Sequence, residues 1–131
     1  MKKLFITLAM LFAMATFSCK KDNNGTMATL ALIQHKWMLI SHNGEAFRYV
    51  GTADDYYNFK TDNMLYKYVN KNYDTLAYTL LKDNKTLALY PVMNGIRSTV
   101  PAKYTIKVLD TTRFVISNIS TVIYSLDSLK R

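Results

Sequence analysis

Reactive side chains are scarce in this chain of 131 residues: it has one cysteine, two histidines and, among nine acidic residues, a single glutamate, Glu45. His35 and His42 lie seven positions apart, so one extended strand would put them on opposite faces. Two separated imidazoles do not make the three- or four-ligand set a metal needs, and none is expected. Asp54, Asp55, Asp62, Asp74, Asp83, Asp110 and Asp127 fall at expected turns or strand ends, where aspartate bonds its own local backbone. A carboxylate pair for acid–base work is therefore not expected. The chain has neither a Gly-x-Ser-x-Gly elbow nor a Gly-rich phosphate loop, so it offers no nucleophile or cofactor motif. These absences argue against an enzyme and against a bound cofactor.

The ten tyrosines and six phenylalanines are the richer resource, because a tyrosine presents a flat apolar face with a polar tip. Tyr57 and Phe59, Tyr66 and Tyr68, Tyr78, and Tyr104 occupy alternating strand positions. If those faces point inward, these six are the candidate ligand contacts of a barrel interior. The alternative is that they only fill a small core.

Half of the residues are apolar and 13% are aromatic, which gives one packed domain and excludes a disordered chain or a multidomain enzyme. The formal charge is +8, but Lys60, Lys67, Lys82, Lys103 and Arg113 are dispersed, with no basic run in the body. Nucleic acid is not an expected partner. Weak attraction to anionic headgroups or glycans accounts better for the charge.

Met1-Lys2-Lys3 precedes an uncharged run from Leu4 to Phe17, the pattern of a secretory signal peptide. At 14 residues the run is shorter than the roughly 20 that a spanning helix needs. It ends at Ser18-Cys19, and a lone exported cysteine has no internal disulfide partner. The stretch Phe17-Ser18-Cys19-Lys20-Lys21-Asp22 resembles the lipobox region of Bacteroidota lipoproteins. That resemblance implies a leader over 1–18 that is cleaved and a Cys19 that is fatty-acylated to become the first residue. Two or more acyl chains anchor stably, at about 0.8 kcal/mol per buried methylene. Lys21-Asp22 resembles the export signal of surface lipoproteins, although Asn23 stands where a second acid is usual. The implied address is the outer membrane, with the leaflet left open. Residues 19–28 form a polar lipidated tether, and the domain occupies 29–131.

The body is a series of short strands. Apolar positions at Leu30, Leu32 and Ile33, with Thr26 as a cap, predict one or two turns of helix over 28–34. Strands are expected at 36–41, 56–59, 64–69, 73–81, 86–90, 104–108, 113–117 and 121–126. Thr61-Asp62-Asn63 and Lys82-Asp83-Asn84-Lys85 are hairpin turns. Pro91, Asn94-Gly95 and Pro101 mark a longer excursion. Tyr104, Ile106 and Val108 alternate on one face. Eight short strands joined mostly by tight turns imply an all-β fold, an antiparallel up-and-down barrel or else a two-sheet sandwich; closure would also remove exposed edges.

The Leu32-Ile33-Gln34-His35-Lys36-Trp37-Met38-Leu39 stretch, the Tyr57-to-Asn63 strand and turn, Tyr78 to Leu89, and Tyr104 to Ile116 resemble the lipocalin-like domains of Bacteroidota lipoproteins. The resemblance implies an eight-stranded barrel behind a short helical turn, with Trp37 packed across its closed end. Some barrels of that family hold a cavity for a small apolar or amphipathic molecule, and no particular ligand is implied. The expected function is therefore a membrane-anchored ligand-binding barrel. The alternative is a filled barrel that contacts a protein or glycan through Ser41 to Asp55 and Pro91 to Ala102. Oligomeric state is not legible in the sequence.

Overall fold

The computed structural model describes residues 24–44, 48–119 and 124–131. The leader, Cys19 and the first part of the tether lie outside these residues. Among the described residues one helix, α1 (Asn24–Ile33), precedes ten strands: β1 (Lys36–Gly44), β2 (Arg48–Val50), β3 (Tyr56–Phe59), β4 (Met64–Val69), β5 (Asn72–Leu80), β6 (Thr86–Met93), β7 (Ile96–Arg97), β8 (Ala102–Leu109), β9 (Arg113–Ile119) and β10 (Tyr124–Lys130). Eight of them follow one another around an antiparallel sheet in the order β1, β3, β4, β5, β6, β8, β9, β10, and β10 pairs back onto β1. The result is a closed eight-stranded barrel, not a sandwich. β2 adds to β1 beyond the end of β3, and β7 folds back on the end of β6.

The turns explain the meander. Asn70 and Lys71 (φ 51° and 64°) join β4 to β5, and Asn94 and Gly95 (φ 52° and 77°) join β6 to β7. Two successive positive φ values give the turn whose twist matches that of paired strands. Asp62, Asp83 and Asp110 each accept the amide two residues ahead, at 3.0, 2.9 and 2.8 Å, as aspartate does in turns.

The core gathers at one end. Trp37, Phe59, Tyr78, Phe114, Leu65, Leu87, Ile116 and Leu129 are almost fully buried, with Ile33 from α1. Phe114 packs between Trp37 and Phe59, at centroid distances of 5.4 and 5.7 Å, and Phe59 meets Tyr78 edge-on at 5.2 Å. α1 closes this end. The Ile33 carbonyl accepts the Trp37 indole N–H at 2.9 Å, Gln34 donates to the Tyr78 hydroxyl at 3.1 Å, and the Thr26 hydroxyl donates to Asn84 at 2.7 Å. The helix starts four residues earlier than expected, so Thr26 lies within it and serves to dock it, not to cap it.

Two β-bulges alter the expected faces. Leu39 opposes Leu129 and Ser41 opposes Ser128, leaving Ile40 as an extra residue in β1. Ile106 opposes Ile116 while Val108 opposes Val115, leaving Lys107 extra in β8. Tyr104, Ile106 and Leu109 therefore pack on the core, where regular alternation predicts Val108 as the third member. β10 also runs on to Lys130, past the expected end at residue 126, which places Asp127 within a strand.

Gly51 fastens the first bulge: its amide donates to the Ile40 carbonyl at 2.8 Å, and a Cβ on it would fall 1.9 Å from the Leu39 carbonyl oxygen. Gly51→Ala must displace backbone and is expected to cost about 2–3 kcal/mol. A Cβ on Gly95, at φ 77°, meets nothing within 4 Å, so Gly95→Ala should cost only the left-handed penalty of about 1–2 kcal/mol. Urea unfolding of the two variants checks the contrast.

Candidate functional site

Regular alternation through Trp37 and Leu39 would point His42 outward. The extra residue at Ile40 reverses the parity, and His42 comes to lie directly opposite Asp127, on the face that buries Leu129. Asp127 is 3% exposed. One of its carboxylate oxygens meets the His42 Nδ1, and the other accepts the Tyr57 hydroxyl at 2.8 Å. A carboxylate against Nδ1 selects the tautomer that carries its proton there. Burial, followed by the charge and hydrogen bond of Asp127, pushes the Tyr57 phenol well above 10. Tyr57 therefore remains a donor.

Two members of this trio, His42 and Tyr57, border a cavity of about 280 Å3, with Asp127 bonded behind them. Its walls come from His42 of β1, Tyr49 of β2 and Tyr57 of β3. Lys67 and Val69 of β4, Asn70 of the turn, and Asn72 and Asp74 of β5 complete them. The β4–β5 turn lies at the opposite end of β4 from the Lys60 turn that Tyr78 bonds, so the cavity opens at the end of the barrel away from α1. The Lys67 ammonium reaches inward and lies 5.2 Å from the Tyr57 ring centroid. Lys67 is thus not the dispersed surface charge expected, and Asp127 lies in the middle of β10, whereas Asp74 stands near the start of β5, at a strand end as expected.

The six aromatic candidates do not share one surface. Tyr57 links the cavity to the core. Phe59 and Tyr78 are fully enclosed at the closed end, and Tyr104 packs against the core. Tyr66 and Tyr68 alternate with Leu65, Lys67 and Val69 and so lie outside the barrel, where Tyr68 stacks on Tyr56 at 5.9 Å and Tyr66 on Tyr73 at 6.4 Å. Lys36 covers Tyr56 at 4.1 Å. Of the six, only Tyr57 borders the cavity. Cys19 lies outside the described residues. His35 stands at the closed end against Arg131, and no group of three His, Cys, Asp or Glu residues among those described could hold a metal. No described helix is long and apolar enough to cross a membrane.

No protein family, curated protein or solved structure matches this chain. Its chemistry must be read from its own geometry.

A second buried carboxylate supports the cavity wall. Asp55, 1% exposed, accepts the Thr52 amide at 2.6 Å, the Tyr49 hydroxyl at 2.7 Å, the Thr52 hydroxyl at 2.9 Å and the Asn70 amide at 2.9 Å. Burial opposes its charge most strongly, but the hydrogen bonds together prevail and hold its pKa at about 2, below 3.8. Two of these donors, Tyr49 and Asn70, belong to wall residues, so Asp55 positions the wall. Its depressed pKa makes its contribution complete above about pH 4 and lost as the pH falls through about 2. Asp55→Asn should lower stability at pH 7 by about 2–3 kcal/mol. The gap between variant and parent should narrow between pH 4 and pH 2. Urea midpoints measured across that range check both the size and the sign.

Proposed function

We propose that this protein is a lipid-anchored, lipocalin-like barrel that binds a small amphipathic molecule in its open end and does not catalyse its conversion. The cavity carries this reading: it sets polar groups of Lys67, Asp74, His42 and Tyr57, the last two held by Asp127, beside the apolar surfaces of Tyr57 and Val69. Its 280 Å3 lies just below the roughly 300–1,000 Å3 usual for pockets that enclose drug-sized ligands, which fits a smaller molecule. The aromatic core fills the remainder of the barrel, so a long acyl chain has no room. Among the described residues the wall holds no serine, threonine or cysteine, which supports binding over nucleophilic catalysis.

The anchor and the outer-membrane address rest on the leader, Cys19 and the charges behind it. Cys19 stands five positions before Asn24, a reach of at most about 18 Å. The start of α1 lies at the closed end, against Asn84. A lipid on Cys19 would therefore leave the cavity mouth facing away from the anchoring membrane, open to ligand arriving through water.

A fluorescent naphthylamine amphiphile tests the reading. It should bind one per barrel, Val69→Trp should weaken binding by about tenfold or more by filling the cavity, and Tyr66→Ala, on the outer face, should leave it unchanged. Equal binding by parent and Val69→Trp would place the probe elsewhere and defeat the proposal.

A second reading has one observation in its favour. Met93, Ile96 and Val100 are each about three-quarters exposed at the β6–β7 excursion, and exposed apolar clusters mark contact surfaces. An interaction module working through this tip would cross-link to a partner from position 96 in the intact envelope, and would lose that partner in Ile96→Ser.

A further inference from the structure

Most polar groups of the cavity wall are already engaged. The Tyr57 hydroxyl and the His42 Nδ1 meet Asp127, the Tyr49 hydroxyl meets Asp55, and the Asn72 side-chain amide donates to the Asn70 carbonyl at 3.2 Å. Two opposite charges are left. Lys67 and Asp74 are direct cross-strand neighbours on β4 and β5, yet no ion pair joins either of them to a described residue. The Lys67 ammonium turns over the Tyr57 ring, and the Asp74 carboxylate lies at the exposed rim.

We propose that the cavity recognises a zwitterion, the paired ammonium and carboxylate of a free α-amino acid. Its carboxylate meets Lys67, its ammonium meets Asp74, and its apolar side chain lies against Tyr57 and Val69. The proposal rests on the cavity being the binding site, as argued above, and adds the class of ligand.

Charge selects this class over its neighbours. A simple anion drawn to Lys67 would meet Asp74 beside it and Asp127 behind. A simple cation drawn to Asp74 would meet Lys67. A molecule carrying both charged groups on one carbon atom satisfies both residues, and leaves neither one desolvated and unpaired, the costly arrangement in a half-closed site. Size agrees: 280 Å3 is the space of about nine water molecules at roughly 30 Å3 each, enough for an amino acid with a branched or aromatic side chain but not for a peptide of several residues.

Calorimetric titration of the full folded domain with L-leucine and L-phenylalanine tests this against two blocked analogues, N-acetyl-L-phenylalanine, which lacks the ammonium, and L-phenylalaninamide, which lacks the carboxylate. The free amino acid should bind more tightly than either analogue by about tenfold or more. Lys67→Met should erase the preference over the amide, and Asp74→Asn the preference over the acetylated form. Both variants should keep the parent's circular dichroism, since both groups sit at the wall of the cavity and outside the core. An acetylated analogue that binds as tightly as phenylalanine would overturn the proposal in favour of an anion, and an equally tight amide would overturn it in favour of a cation. Binding of the naphthylamine amphiphile without any amino acid would reject the zwitterion and keep the cavity. Binding of neither would reject both.

Discussion

The ladder between β1 and β10 is the constraint on which the rest of the molecule depends. It closes the sheet, and its one extra residue, Ile40, sets which side chains of β1 face the interior beyond Leu39. In an unbroken register His42 would face outward, and among the described residues the buried Asp127 would retain only the Tyr57 hydroxyl. A buried carboxylate with one neutral partner is costly, on the order of several kcal/mol. The bulge therefore completes an electrostatic arrangement as well as bending a strand. The loop after β2 secures it from the other side: Gly51 donates to Ile40, and the Leu39 amide donates to the Asp55 carbonyl at 2.9 Å. Backbone closure, the turn at Gly51 and the interior charge are parts of one arrangement.

That arrangement divides the barrel in two. An eight-stranded barrel is only just wide enough for its side chains to fill, and at the α1 end the rings of Trp37, Phe59, Tyr78 and Phe114 do fill it. At the other end the inward positions change character: Leu65 is followed two residues later by Lys67, and Tyr78 is preceded by Leu76 and then Asp74. The same alternation that builds a dry core from one half of β4 and β5 builds a wet cavity from the other. Tyr57 belongs to both halves, with its ring in the core and its hydroxyl on Asp127.

What the residues reveal unaided follows the same division. Turn chemistry is local, so Asp62-Asn63, Asp83-Asn84 and Asn94-Gly95 mark their bends in any context, and the eight barrel strands follow from them. Facing is not local. β4 carries Leu65 and Val69 on one side and Tyr66 and Tyr68 on the other, so period two finds two apolar faces and cannot choose between them. Packing chooses the smaller aliphatic side, because the interior is already occupied by larger rings from β1, β3, β5 and β9, and the tyrosines stack outside. Bulges are harder still, since one inserted residue inverts every later face of its strand while Ile40 and Lys107 carry no compositional mark. Asp127 was hidden for a related reason: Asp-Ser looks like a turn, and only the register with His42 and the burial of Leu129 reveal a strand.

The two buried aspartates show how the cavity holds its shape before anything occupies it. Asp127 is held by side chains distant in sequence, so its placement depends on the barrel being closed. Asp55 is held by two backbone amides and two hydroxyls, half of them from Thr52 in its own loop, and through Tyr49 and Asn70 it ties β2 to the β4–β5 turn on either side of the cavity mouth. A mouth braced by a charge that resists protonation down to about pH 2 is preorganised, and a preorganised site loses little side-chain freedom when ligand arrives. In the proposed binding site, selectivity would then fall to the groups that have not spent their hydrogen bonds on the frame. Those groups are Lys67 and Asp74, on neighbouring strands whose spacing the rigid turn at Asn70 and Lys71 fixes, and the distance between the charges they accept is set by the sheet itself.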